Sequence, residues 1–307
     1  MNEMGPRGLS ANRAGPPEIA ARVAALGKEF NDDTPPTTTA IYVPSLKAVQ
    51  WPGIDVASDL AYGPDAERHL LDVHTPADKG EAGLPTVIFF HGGGFVLGHK
   101  NQPNGVMYAN IANTFASQGI VGVNATYRLA PDVQWPEGAR DVGAALAWVR
   151  DNIADYGGDP DRIFIMGQSA GASHVATYAF RRELHPDSGP GFAGVILMSG
   201  VYGLSAGNAS PGRDAYYGTD DSKFGEMQVL GNVTYSDCPV FCTIGEFDTV
   251  PFEKSTLALI NELTERNGCA PRFKQLIGHN HISQVCCFGT EDTSVSADMV
   301  DFVLTSA

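Results

Sequence analysis

Short apolar runs alternate along the chain with longer amphipathic stretches. Apolar, largely β-branched and aromatic runs at residues 86–90, 120–127, 163–166, 195–198 and 240–244, with a further stretch at 272–277, predict strands. Strands covered by helices on both faces read as continuous apolar runs, because they have no polar face to show. Between them, apolar positions recur at helical spacing and predict helices over residues 107–117, 135–153, 170–182, 252–266 and 293–304. Val142, Ala145, Leu146 and Val149 mark the inward stripe of the second of these, and Val175, Tyr178 and Ala179 that of the third. Two runs at residues 55–61 and 69–74 flank the turn signal Tyr62-Gly63-Pro64-Asp65 and predict an antiparallel hairpin leading the sheet. Strands alternating with helices give an α/β class, with a mostly parallel doubly wound sheet.

Three regions fall outside this alternation. Residues 1–17 are rich in Gly, Pro and Asn and are expected to form a poorly ordered arm. Residues 18–30 carry Ile19, Val23, Leu26 and Phe30 on one stripe and predict a helix; residues 31–39 break it, and residues 42–51 predict a second helix entered through Pro44. Residues 18–54 are therefore expected to fold as a small helical cap on a domain spanning residues 55–307. The third region, residues 200–237, is long for a connection, as functional loops often are, and its Tyr202, Tyr216 and Tyr217 are candidates for a pocket wall.

Composition narrows the function classes. With 35 acidic against 20 basic residues the net charge is −15, a field that repels nucleic acid and anionic membrane surfaces, so neither is expected as a partner. No apolar run reaches the roughly 18 residues that a membrane-spanning helix requires, and the first thirty residues hold no apolar signal core. The five cysteines are odd in number and form no C-x-x-C pair, which argues against a disulfide framework or a structural zinc site. The expectation is a cytoplasmic protein with reduced thiols in its core and neither metal nor cofactor.

The chemistry gathers at strand ends. The run Ile163–Met166 leads into Gly167-Gln168-Ser169-Ala170-Gly171, and a helix of small residues follows at once. Joining strand to helix so abruptly forces a tight turn in which Gly167 and Gly171 permit close approach around Ser169, the arrangement of a nucleophile elbow. Phe90 is followed by His91-Gly92-Gly93-Gly94-Phe95, where glycines let backbone N–H groups turn towards a ligand, as an oxyanion hole requires. Both features lie at the C-terminal edge of the sheet, where open α/β folds bind ligands. A base is sought among eight histidines. His69, His74 and His185 read as structural, and His91 as a brace for the glycine loop. His174, on the elbow helix, reads as a pocket residue that cannot easily reach the serine oxygen. His279 and His281, in the loop expected after the last strand, are placed to act as base. Ile244-Gly245-Glu246-Phe247-Asp248 offers two carboxylates in the order serine, acid, histidine, and Asp248 is chosen over Glu246 because it stands farther into the loop. Its role would be to hold the imidazole tautomer as His281 takes the serine proton.

These stretches, with Ala125-Thr126-Tyr127-Arg128-Leu129-Ala130-Pro131, Trp135-Pro136-Glu137 and Asp159-Pro160-Asp161-Arg162-Ile163, resemble hormone-sensitive-lipase-like carboxylesterases of the α/β-hydrolase fold over residues 55–305. Tyr62-Gly63-Pro64 and Leu71-Asp72-Val73-His74-Thr75-Pro76 resemble the arylformamidase branch of the same superfamily. The resemblance implies Ser169 as nucleophile, His281 as base, Asp248 as its orienter, and the N–H groups of Gly93, Gly94 and Ala170 as oxyanion donors. One departure stands out: such relatives usually carry Asp or Glu before the nucleophile, and here the residue is Gln168. Phe95, Val96, Tyr127, Tyr202 and Leu204 are taken as the pocket wall. The function expected is hydrolysis of a small or short-acyl ester, a small-molecule substrate, with an exposed sheet edge available for a homodimer. An amidase or arylformamidase with the same triad, and a non-catalytic binding protein on the same fold, are the competing readings.

Overall fold

A computed structural model describes residues 15–77, 83–102 and 105–306. Its centre is an eight-stranded sheet in the order β1-β2-β4-β3-β5-β6-β7-β8. The strands are β1 (Ile54–Ala61), β2 (Leu70–Pro76), β3 (Leu84–Phe90), β4 (Val121–Ala125), β5 (Gly158–Gln168), β6 (Gly194–Met198), β7 (Val240–Phe247) and β8 (Arg272–Asn280). β1 pairs antiparallel with β2 and β2 antiparallel with β4, while every later pairing is parallel. The expected hairpin and doubly wound sheet are both present.

Helices cover the two faces. They are α1 (Pro17–Ala24), α2 (Thr34–Ala48), α3 (Ala109–Ser117), α4 (Glu137–Asn152), α5 (Ala170–Phe180), α6 (Pro211–Tyr217), α7 (Phe224–Met227), α8 (Val250–Asn267), α9 (Ser283–Cys286) and α10 (Ser296–Thr305). The period-two alternation of β3 divides the core. Ile88 and Phe90 pack with Val142, Val149, Val175 and Leu259 from α4, α5 and α8. Val87 and Phe89 pack with Tyr42, Ile111, Phe115 and Val300 from α2, α3 and α10. Burial of both faces is what made these strands readable as unbroken apolar runs.

The N-terminal segment differs from expectation in its boundaries. The arm expected over residues 1–17 lies outside the described residues up to position 14, and Pro17 already opens α1. α1 stops at Ala24, so Phe30 is not on its stripe but on the link to α2. α2 begins at Thr34 and contains Pro44, where the sequence had suggested a break over residues 31–39 and a later start. Pro35 and Pro36 fall in the first helical turn, where a missing N–H costs no hydrogen bond, and the Asn31 side chain accepts from the Asp33 and Thr34 N–H groups. The long stretch between β6 and β7 is not structureless, since it folds into α6 and α7. Among the described residues no helix is long and apolar enough to cross a membrane, and no cluster of His, Cys, Asp and Glu could hold a metal ion.

Candidate active site

Three parallel strands deliver the candidate triad to one sheet edge: Ser169 follows β5, Asp248 follows β7 and His281 follows β8. Ser169 has φ 55° and ψ −120°, a conformation that a non-glycine residue avoids unless its surroundings impose it. They do so here through glycines. A Cβ on Gly171 would come within 2.2 Å of the Phe90 carbonyl oxygen, and one on Gly167 within 2.5 Å of the Gly171 backbone. Only the missing Cβ atoms at Gly167 and Gly171 let α5 press so closely on β3 and β5. The Ser169 N–H donates to Met198 O at 2.9 Å, and its hydroxyl is not used to cap α5. Ser169 is half-buried, so its Oγ remains approachable.

His281 Nδ1 donates to Asp248 Oδ1 at 2.7 Å. The other carboxylate oxygen, Oδ2, accepts from the Gly245 N–H and the Ser199 hydroxyl, each at 2.6 Å. Three donors thus meet a carboxyl group that is 0% exposed, as a buried polar group requires. Glu246 is turned away and accepts from the Gly278 N–H at 2.8 Å. Asp248, not Glu246, is thus the carboxyl group within hydrogen-bond distance of His281. Phe252 stacks on the His281 ring (centroids 4.0 Å apart) and Phe30 meets it edge-on at 4.8 Å. Among the described residues, His281 Nε2 is buried without a hydrogen-bond partner, so the Ser169–His281 contact is not closed. His279, two residues earlier, is engaged elsewhere, with Ser283, Ser294 and Asp292.

The glycine loop lies against the elbow. A Cβ on Gly92 would fall 2.3 Å from Gln168 Oε1 and 3.2 Å from Ser169 Cβ. Gly93 (φ 135°) and Gly94 (φ 58°) adopt conformations that favour glycine. Among the described residues, the N–H groups of Gly93, Gly94 and Ala170 have no backbone acceptor, and Gly93 and Gly94 are half-buried and exposed. The loop is braced from behind. His91 Nδ1 donates to Gly92 O at 2.7 Å, Tyr127 donates through its hydroxyl to His91 O at 2.7 Å, and Arg68 donates to Tyr127 O and Gly98 O. Burial pushes the His91 imidazole down to about 3, so it stays neutral and keeps the tautomer this brace needs. Burial alone does the same to His174, also to about 3. A Cβ on Gly93 would lie 2.0 Å from Leu97 O, so Gly93→Ala is expected to displace the loop and lower kcat about 10²–10³-fold on a phenyl ester. Steady-state kinetics check this, and a variant within threefold of the parent would exclude Gly93 from the site.

The expected pocket wall divides in two. Phe95, Val96 and Leu204 share an apolar cluster with Ala170, Tyr216, Tyr217 and Phe224 beside the elbow. Tyr127 and Tyr202 do not. Tyr127 is spent on the His91 carbonyl, while Tyr202 receives the Gly200 N–H on its hydroxyl and donates its own N–H to Ser255, and both rings sit in the main core. An aromatic residue just past a strand end gives the same sequence pattern whether its ring turns to the pocket or inward. Reading the sequence also missed Ser199, Gln284, Phe30, Phe252 and Gly212. Ser199 follows β6 as Ser169 follows β5, which was a usable signal. Gly212 opens α6 against the glycine loop, where a Cβ would fall 1.9 Å from Gly94 O.

Sheet order, elbow and the strand-end placement of Ser169, Asp248 and His281 are those of the α/β-hydrolase fold. Esterase B from Lactobacillus rhamnosis covers 94% of this chain and 95% of its own at TM-score 0.72 and 22% identity. A hyperthermophilic esterase from Pyrobaculum calidifontis covers 96% and 100% at TM-score 0.68 and 19% identity. Residues 71–185 match the family model described as BD-FAE. Esterase LipQ of Mycobacterium tuberculosis is 35% identical over 165 residues, 53% of this chain and 35% of the relative. Carboxylesterase NlhH of the same organism is 44% identical over 96 residues, 31% and 29% of the two chains. The chain spans about a third of the length of the curated relatives it matches. The chain has the α/β-hydrolase fold that these solved esterase structures share.

Proposed function

We propose that this chain hydrolyses small or short-acyl carboxylic esters through an acyl-enzyme on Ser169. The observation that carries the reading is the convergence, at one sheet edge, of a strained half-exposed serine, a buried His281–Asp248 pair and three amide donors without acceptors. Ser169 Oγ attacks the ester carbonyl as His281 Nε2 takes its proton, and the Ser169–Nε2 hydrogen bond closes when substrate is present. The oxyanion rests on the N–H groups of Gly93, Gly94 and Ala170. His281 then protonates the leaving alkoxide, and the same nitrogen activates the water that frees the acid. The relatives named above are called esterases or a carboxylesterase. No feature of the site favours a C–N bond over an ester.

Two measurements test this. A fluorophosphonate probe should label the protein on the peptide that contains Ser169, and phenyl acetate should turn over faster than N-formylkynurenine. An unlabelled Ser169, or a faster formamide, would overturn the proposal.

The leaving group departs along His281, so what packs on that ring walls its path. Phe30 is 42% exposed over the His281 edge, and its ring also meets Phe252 edge-on with centroids 6.1 Å apart. Phe30→Ala is expected to lower kcat/KM for phenyl and naphthyl esters about tenfold, with methyl esters changed less than twofold, from the apolar area it would no longer cover. Parallel loss on both ester classes would show that Phe30 does not discriminate.

A further inference from the structure

Gln168 sits directly before the elbow serine, where an acidic residue is usual among the relatives the sequence resembles. Its surroundings require an amide. Gln168 is 1% exposed and donates through Nε2 to the His281 carbonyl oxygen at 2.9 Å. The same oxygen accepts a second amide hydrogen, from Gln284 Nε2 at 3.1 Å. Gln284 Nε2 also donates to Ser199 Oγ at 2.9 Å, and Ser199 passes its own hydrogen to Asp248 Oδ2 at 2.6 Å. Asp248 Oδ1 returns to His281 through Nδ1 at 2.7 Å. The chain of contacts closes on itself: carbonyl, Gln284, Ser199, Asp248, imidazole.

We infer that Gln168, Gln284 and Ser199 are positioning residues that hold the two ends of His281, its carbonyl and its imidazole, as one rigid unit against Asp248. Gln284 and Ser199 are fully buried, so their hydrogens cannot be lent to solvent instead. Ser199 has φ 50°, a strained value for a non-glycine residue, and its N–H is fixed to Thr243 O at 3.0 Å. An ionised acid at position 168 would set a carboxylate against the carbonyl oxygen and offer it no hydrogen. The neutral residue is thus matched to its partner in this chain.

The inference rests on the ester-hydrolase reading, and its test separates the two. In this chain, Gln168→Met and Gln284→Met each remove one of the two donors to His281 O. Each single variant should lose about fivefold in kcat on phenyl acetate, with KM within twofold of the parent, because the second amide still holds the carbonyl. The double variant should lose more than the product of the two, since residues sharing one partner do not act additively. The far-downfield proton resonance of His281 Nδ1–H should broaden or vanish in Ser199→Ala and in the double variant while circular dichroism stays that of the parent. Gln168→Glu, which keeps the shape, should be slower than Gln168→Met. Parental kcat in the double variant or in Gln168→Glu, or strictly additive losses shared between kcat and KM, would overturn the positioning role. Substantial turnover by Ser169→Ala would instead overturn the ester-hydrolase reading itself.

Discussion

Alanine at Ser169 is expected to lower ester turnover roughly 10⁴- to 10⁶-fold while leaving the fold intact. The substitution removes one oxygen that caps no helix and makes no hydrogen bond within the elbow, so little stability depends on it. What it deletes is the atom that the proposed mechanism acylates. The amides of Gly93, Gly94 and Ala170 would still bind a polarised carbonyl, which accounts for a residual rate above the uncatalysed one. Turnover of p-nitrophenyl acetate, measured beside a thermal melt by circular dichroism, checks both halves of the expectation. A rate within tenfold of the parent would remove Ser169 from the chemistry. A collapsed melting temperature would show that the strained backbone at φ 55° relies on the hydroxyl in some other way.

The three candidate triad positions were legible because each lies within a few residues of a run that reads as a strand. In a parallel sheet all such points share one edge, so sequence order alone brings Ser169, Asp248 and His281 near one another. The glycine loop was legible for the same reason, as it follows β3. What supports these residues was not. Gln284 meets Ser199 across 85 positions and Gln168 meets His281 across 113, and no periodicity registers a pairing at that distance. Phe30 was assigned to a helical stripe because its spacing from Leu26 fits one, but Gly27, at φ 64°, belongs to the turn that ends α1 and frees Phe30 to reach His281. Tyr127 and Tyr202 illustrate the opposite error, since two buried hydroxyls found backbone partners that their sequence positions do not reveal.

Asparagine at Asp248 is expected to lower kcat about 10⁴-fold with little change in KM, and the reason lies in which donors surround the carboxylate. Oδ2 faces the Gly245 N–H, a backbone donor that cannot turn away, and the Ser199 hydroxyl, each at 2.6 Å. An amide nitrogen placed there would set donor against donor. The asparagine should therefore direct its oxygen to Gly245 and its NH2 to His281 Nδ1. That forces the imidazole into the tautomer protonated on Nε2, the nitrogen proposed to accept the Ser169 proton. The base would be present, correctly placed and unable to act. Steady-state kinetics on phenyl acetate measure the loss, and the thermal melt should move only slightly because the variant keeps the size and shape of Asp248. Asp248→Ala would leave Nδ1 without any partner and remove the acceptor for Ser199, so it should melt at a lower temperature than Asp248→Asn. If Asp248→Asn retained more than a tenth of the parental kcat, tautomer control by Asp248 would be excluded, and with it the reason for the hydrogen-bond ring through Ser199 and Gln284.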